Sequence, residues 1–176
     1  MNKKDLRKYI RMQKQQFTNE QLEELSLPVI KKLKAHPRVK TAKTILMYYS
    51  LADEVNTHKV IDELLAEGKT ILLPAVISDT EMEIRYYEGP KDLMGGFFDI
   101  MEPIGRTFTG YEAIDVAVVP GMSFDLQCNR LGRGKGYYDR FLPKIPQAYK
   151  IGVCFPFQKL PGIPAEENDM KVDEVI

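Results

Sequence analysis

Cysteine is scarce in this sequence: Cys128 and Cys154 are the only two among 176 residues. Two thiols cannot build a disulfide framework, so the fold must rest on its own core, and a reducing cytoplasm is the expected setting. Long apolar runs are missing too. None approaches the roughly 20 residues that cross a bilayer, and residues 1–14 are charged, without the apolar stretch of a secretory signal. Histidine is limited to His36 and His58, which have no partners at metal-ligand spacing. Net charge is also absent, 25 Lys and Arg balancing 25 Asp and Glu. Export, a membrane span and a cysteine-rich scaffold are therefore not expected.

What is present is a globular composition, 44% hydrophobic and 28% charged. The length suits one domain, residues 1–176, with a core that needs no staple. The balanced charge is unevenly divided: residues 1–40 carry eleven Lys or Arg against four Asp or Glu, leaving the remainder acidic by the same margin. A basic arm on an acidic body implies either an anionic ligand or plain attraction between the two parts.

Hydrophobic periodicity opens the chain with two helices. Leu6, Ile10 and Phe17 fall near one face of the first, among Lys3, Lys4, Arg7, Lys8, Arg11 and Lys14. Thr18 and Gln21 form a capping box for the second, whose stripe of Leu22, Leu25, Val29, Ile30 and Leu33 faces a core until His36-Pro37 ends it. The period then shortens. Residues 44–49 read as a buried strand, Asn56 or Thr57 caps a helix that Gly68 stops, and residues 70–73 form a strand closed by Pro74. Strand, helix and strand at this spacing make a crossover unit with parallel strands. Residues 82–87 alternate as a further strand, and 88–111, rich in Gly and Pro, read as a long surface connection with at most one helical turn at 91–94. Strands at 114–119, 150–155 and 172–176, with a helix starting at Tyr137, complete the pattern. The expected fold is a three-layer α/β/α arrangement, an open, mostly parallel sheet with two N-terminal helices.

The stretch from Asn129 to Arg140 carries the chemistry. Gly132, Gly134 and Gly136 alternate with Arg130, Arg133 and Lys135 around Leu131, and a helix follows. Alternate glycines let the backbone approach a ligand; with exposed amides and three cations they make an anion site, most naturally for phosphates. The loop is not a Walker A motif, because Gly136 rather than Ser or Thr follows Lys135, and it comes too late in the chain for a dinucleotide fingerprint. The same Arg, Gly and Tyr mixture suits RNA, with Tyr137 and Tyr138 as stacking surfaces. The basic patch is short and the chain neutral, which favours phosphate.

Residues 120–125 (PGMSFD) and 129–139 (NRLGRGKGYYD) together resemble the signature of the 5-formyltetrahydrofolate cyclo-ligase (5,10-methenyltetrahydrofolate synthetase) family. Residues 3–7 (KKDLR), Ser50 to Glu54 with Thr57, and residues 168–174 (NDMKVDE) agree in the same order, so the resemblance spans nearly the whole chain. One position departs: the family usually has glycine where Cys128 stands. The resemblance implies an ATP- and Mg2+-dependent ring closure of 5-formyltetrahydrofolate, with no nucleophilic serine or cysteine. Its partners would be 5-formyltetrahydrofolate and ATP, without nucleic acid or membrane, and a monomer is expected.

By matching positions, the resemblance implies ATP contacts from Lys3, Lys4 and Arg7 and from the loop Arg130, Leu131, Gly132, Arg133, Gly134, Lys135, Gly136, Tyr137 and Tyr138. Arg133 and Lys135 would neutralise developing charge, and Tyr137 would face the folate side as a third catalytic position. Tyr49, Glu54 and Met82 match folate-pocket positions, together with Arg133, Gly134, Lys135, Gly136 and Tyr137. Asp139 and Asp169 match the acidic positions associated with Mg2+, with Asp173 the alternative if Asp169 points away.

Overall fold

Three helices, not two, precede the first strand. A computed structural model of the chain describes residues 1–96 and 100–176. Helix α1 (Lys3–Lys14) is capped by the Asn2 side chain, which accepts from the Asp5 amide at 2.8 Å. Helix α2 (Asn19–Ala35) opens on the capping box of Thr18 and Gln21. His36 ends α2 and caps a further short helix, α3 (Pro37–Thr41), with Pro37 in its first turn where a missing amide is harmless.

The main sheet has six strands in the order β11-β9-β6-β1-β2-β3: β1 (Thr44–Leu46), β2 (Thr70–Val76), β3 (Met82–Tyr87), β6 (Val116–Pro120), β9 (Tyr149–Val153) and β11 (Glu174–Val175). All neighbouring pairs are parallel except β2 with β3. Helix α4 (His58–Ala66) connects β1 to β2, with Gly68 in the left-handed region just past its end. Alternation along the strands splits the core. Ile45, Ile71, Val116 and Ile151 face α2 to α4, whereas Leu46, Leu72, Ala117 and Val119 face Phe108, Phe124 and the short helix α5 (Tyr137–Phe141) with the turn after it. Helical cover is thus much heavier on one face. Buried Cys154 belongs to the second cluster, where burial pushes its thiol up to about 12, too high for redox chemistry near neutral pH.

Strand β2 does not stop at Pro74. The Leu72 carbonyl accepts from the Met47 amide, so two residues on Pro74 points to the same side, where β1 has already ended. No ladder bond is lost there, and β2 continues to Val76 against β3. The connection from 88 to 111 is also more ordered than its composition implies. A turn at Pro90–Asp92 leads into a hairpin of β4 (Leu93–Gly95) and β5 (Met101–Pro103), with residues 97–99 outside the described residues. A small second sheet, β10-β7-β8, joins β7 (Ser123–Asp125), β8 (Arg130–Leu131) and β10 (Lys159–Leu160).

Helix α1 covers neither face of the main sheet. Leu6 and Ile10 pack with Met122, Leu131 and Ile163 as a separate cluster, which lays α1 beside the small sheet.

Cys128 adopts φ +63°, the single positive φ at a non-glycine among the described residues. This is the position where the family resemblance implies glycine. Left-handed backbone costs a β-carbon residue roughly 1–2 kcal/mol. Cys128→Gly is therefore expected to hold or raise the melting temperature despite the lost side chain, and a clear drop in a thermal melt would contradict the strain.

Candidate functional site

The C-terminal ends of β1, β2 and β6 open into a cleft of about 920 Å3, bounded by Tyr48 and Tyr49 after β1, Pro74 and Val76 of β2, and Pro120 at the end of β6 with Gly121 after it. Open parallel sheets bind ligands at this end of their strands. Lys3, Lys4 and Arg7 of α1, Glu54, the whole run from Arg130 to Asp139, and Asp169 line the same cleft. Residues far apart in sequence are thereby brought to one place.

Met82 is the exception. It sits on the inward face of β3 with Ile84, Leu46 and Leu72, 7% exposed, and does not line the cleft; strand alternation puts it in the core. Asp173 also lies elsewhere, accepting from the Lys150 amide at 2.8 Å.

The glycine loop is shaped by its own side chains. Gly134 and Gly136 take φ +110° and +75°, conformations a β-carbon opposes. Arg130 is buried behind the loop, its Nε donating to the Pro120 carbonyl at 2.7 Å and its guanidinium 4.9 Å from the Tyr138 ring. It braces the loop from behind, against the half-buried Tyr138. Arg7 Nε donates to the Gly132 carbonyl at 2.8 Å, fastening α1 to the loop. Arg140, which sequence reading left without a role, lines the cleft and donates to the Lys135 and Thr80 carbonyls at 2.6 and 2.5 Å. The Tyr137 hydroxyl donates to the Ser78 carbonyl at 2.9 Å. The loop is therefore held on three sides while the Lys135 side chain stays exposed. Helix α5 has only five residues, so cations and loop amides, not a helix dipole, supply the positive field.

Across the cleft, Glu54 is 13% exposed; its Oε1 accepts from the Leu51 amide at 2.8 Å and its Oε2 lies 3.5 Å from Arg133. Tyr49 stacks on His58 at 3.8 Å between centroids, and His58 Nε2 meets the Ser50 carbonyl at 2.8 Å, fixing the aromatic wall.

The acidic pair fits a hard cation in part. Asp139 Oδ1 accepts from the Met170 amide at 3.0 Å. Asp169 Oδ2 meets Lys3 Nζ at 2.5 Å and the Glu166 amide at 2.9 Å. Burial alone would raise the Asp169 carboxyl, but Lys3 and the Glu166 amide outweigh it and hold the group below the usual aspartate value. Each carboxylate keeps its second oxygen without a hydrogen-bond partner among the described residues, a donor set suited to Mg2+ when phosphate oxygens and water complete the shell. No group of three or more His, Cys, Asp and Glu side chains gathers at metal-binding separation among the described residues. None of the described helices is long and apolar enough to cross a membrane.

Fold and cleft together define a class: an α/β protein whose sheet end holds an anion loop opposite a carboxylate and an aromatic wall. The comparison with known families is specific within that class. The model of the 5-formyltetrahydrofolate cyclo-ligase family matches residues 1–176, and the chain belongs to this family. The mouse 5-formyltetrahydrofolate cyclo-ligase is 31% identical over 99% of this chain and 92% of its own length. The Escherichia coli K12 protein of the same name is 29% identical over 95% of each. Among solved structures, the Aquifex aeolicus 5,10-methenyltetrahydrofolate synthetase superposes with TM-score 0.85 at 35% identity, covering 99% of this chain and 89% of that one. The Mycoplasma pneumoniae 5,10-methenyltetrahydrofolate synthetase gives TM-score 0.82 at 30% identity, over 100% and 98%.

Proposed function

We propose that this enzyme cyclises 5-formyltetrahydrofolate to 5,10-methenyltetrahydrofolate with ATP and Mg2+, releasing ADP and phosphate through a phosphorylated formyl intermediate. One observation carries the reading: in a chain of this family, the cationic glycine loop and Glu54 face each other across a single cleft. A formyl amide is a poor electrophile and its oxygen a poor leaving group. Transfer of the γ-phosphoryl to that oxygen, with ADP departing, makes an imidate-like phosphate. The amine at the 10-position then attacks the formyl carbon, loses its proton, and phosphate leaves.

Such a transfer needs positioning and charge neutralisation more than a covalent group on the protein. Lys3 and Arg7 extend the positive field from α1, and Lys135 reaches into the cleft from a loop whose backbone is pinned. Arg133, beside Glu54, stands between the phosphate side and the folate side. Glu54, oriented by the Leu51 amide, accepts hydrogen bonds from the pterin or orients the attacking amine. Asp139 and Asp169 would hold Mg2+, which when bound neutralises charge on the nucleotide phosphates.

The test is growth of the methenyl chromophore in the near ultraviolet when purified protein meets 5-formyltetrahydrofolate and Mg-ATP. The reading requires the signal to vanish without either ATP or Mg2+; folded protein that gives none refutes it. Glu54→Gln is expected to raise KM for 5-formyltetrahydrofolate by about tenfold or more, the cost of weakening charged hydrogen bonds in a half-enclosed pocket. Unaltered folate kinetics in that variant would place the pocket elsewhere.

A further inference from the structure

The first helix carries a further cation, Lys14, on the same edge as Lys3 and Arg7, and it is the least solvated of these three. Lys3, Arg7 and Lys14 fall within about 40° of one another around the axis. Lys3 meets Asp169 and Arg7 meets Gly132. The Lys14 side chain is 4% exposed, and its Nζ has no hydrogen-bond partner among the described residues. Its nearest opposite charge is Asp53, at 3.5 Å. Asp53 in turn accepts from Arg133 Nη2 at 3.2 Å, and the same nitrogen lies 3.5 Å from Glu54.

Burying an ammonium without a hydrogen bond is unfavourable, and a methionine of similar length would fill the space without that penalty. Packing does not account for the charge; what it does account for is Asp53. That carboxylate is 41% exposed and sits between two cations, Lys14 from below and Arg133 from the cleft. With Lys14 neutral, Asp53 has one cation instead of two to hold it, and Arg133 keeps Glu54 but loses a firmly placed second counter-charge.

We propose that Lys14 is a positioning residue for the substrate side of the cleft: its buried ammonium fixes Asp53, and Asp53 holds Arg133 beside Glu54. The proposal rests on the cyclo-ligase reading, because it assigns Arg133 and Glu54 to substrate. It gives α1 two tasks, nucleotide contact at its first turn and substrate alignment at its last.

The experiment compares Lys14→Met, Asp53→Asn and the double variant with the parent, by thermal melting and by steady-state kinetics in each substrate. Lys14→Met is expected to melt at or above the parent, because a desolvated charge is gone. Its KM for 5-formyltetrahydrofolate should rise about tenfold, the scale of coupling between groups in one charge network, while KM for ATP stays put. Asp53→Asn should raise the same KM while lowering the melting temperature, because it leaves the Lys14 ammonium unpaired, and the folate KM of the double variant should be no worse than that of either single. An unchanged folate KM in Lys14→Met overturns the proposal, as do single effects that multiply in the double variant. A lower melting temperature with equal loss toward both substrates also overturns it, since that is what a purely structural lysine would give. A parent protein that neither turns over nor binds 5-formyltetrahydrofolate overturns the cyclo-ligase reading itself, and this proposal with it.

Discussion

Lys135→Ala is expected to lower kcat by about two to three orders of magnitude, the cost of removing one charge from the proposed phosphoryl-transfer site. The side chain is exposed in the cleft and has no hydrogen-bond partner among the described residues, so nothing in the folded protein depends on it. The backbone at this position is held independently, by Arg140 Nη2 on the Lys135 carbonyl and by the left-handed glycines on either side. Melting temperature and 5-formyltetrahydrofolate binding should therefore stay near the parent values while turnover collapses. Folate binding by calorimetry, set against initial rates of methenyl formation, separates the two. A variant that loses binding and turnover in equal measure would show Lys135 acting in the ground state.

The second large effect lies in stability, at Asp125. This carboxylate is 6% exposed and accepts four hydrogen bonds, from the amides of Gln127, Asn129 and Ile163 and from the Asn129 side chain, at 2.9 to 3.0 Å. It ties β7 to the start of the glycine loop and to the segment at Ile163, on which α1 rests. Asp125→Ala strands several partly buried donors at once, and a loss of about 3 kcal/mol is expected. Burial alone would raise the Asp125 carboxyl, but the donors from Asn129, Ile163 and Gln127 outweigh it and hold it below the ordinary value. A depressed folded-state pKa contributes stability that is complete above about pH 4 and disappears as pH falls through the folded value. The urea midpoint of Asp125→Asn should accordingly fall below the parent's at pH 7, with the gap narrowing in acid. Equal midpoints at pH 7 would mean that the four bonds are compensated by water in the variant.

The parts of this fold that could be read from sequence are those set by neighbours in the chain. Thr18 and Gln21 make their capping box within one turn, and Gly68 ends α4 from two residues away. The glycine loop announced itself because its chemistry is contiguous. Parts that depend on distant partners were not legible. Whether Pro74 ends a strand is decided by where β1 stops, and whether 93–103 pairs as a hairpin depends on register across Gly95 and Gly96. Strands as short as β8 and β10 carry no periodicity to detect. The site divides along the same line. The loop and Glu54 are candidates that a motif suggests, whereas Lys14 looks like any solvated helix lysine until tertiary packing buries it. Met82, which the family resemblance matches to a pocket position, is turned by alternation along β3 into the core cluster with Leu46 and Leu72.

The separate cluster under α1 has a thermodynamic consequence. Leu6 and Ile10 anchor that helix to Met122, Leu131 and Ile163, apart from both layers of the main core. Its polar fastenings, to Asp169, Gly132 and Asp53, run from its first turn to its last. A segment with so small a share in the main core is of the kind that opens below the free energy of global unfolding. Its opening would take Lys3 and Arg7 out of the cleft and Lys14 away from Asp53 together. On the cyclo-ligase reading proposed above, nucleotide and substrate would both bind a cleft that this helix helps to line, and linkage would then couple their affinities through the way one helix is attached.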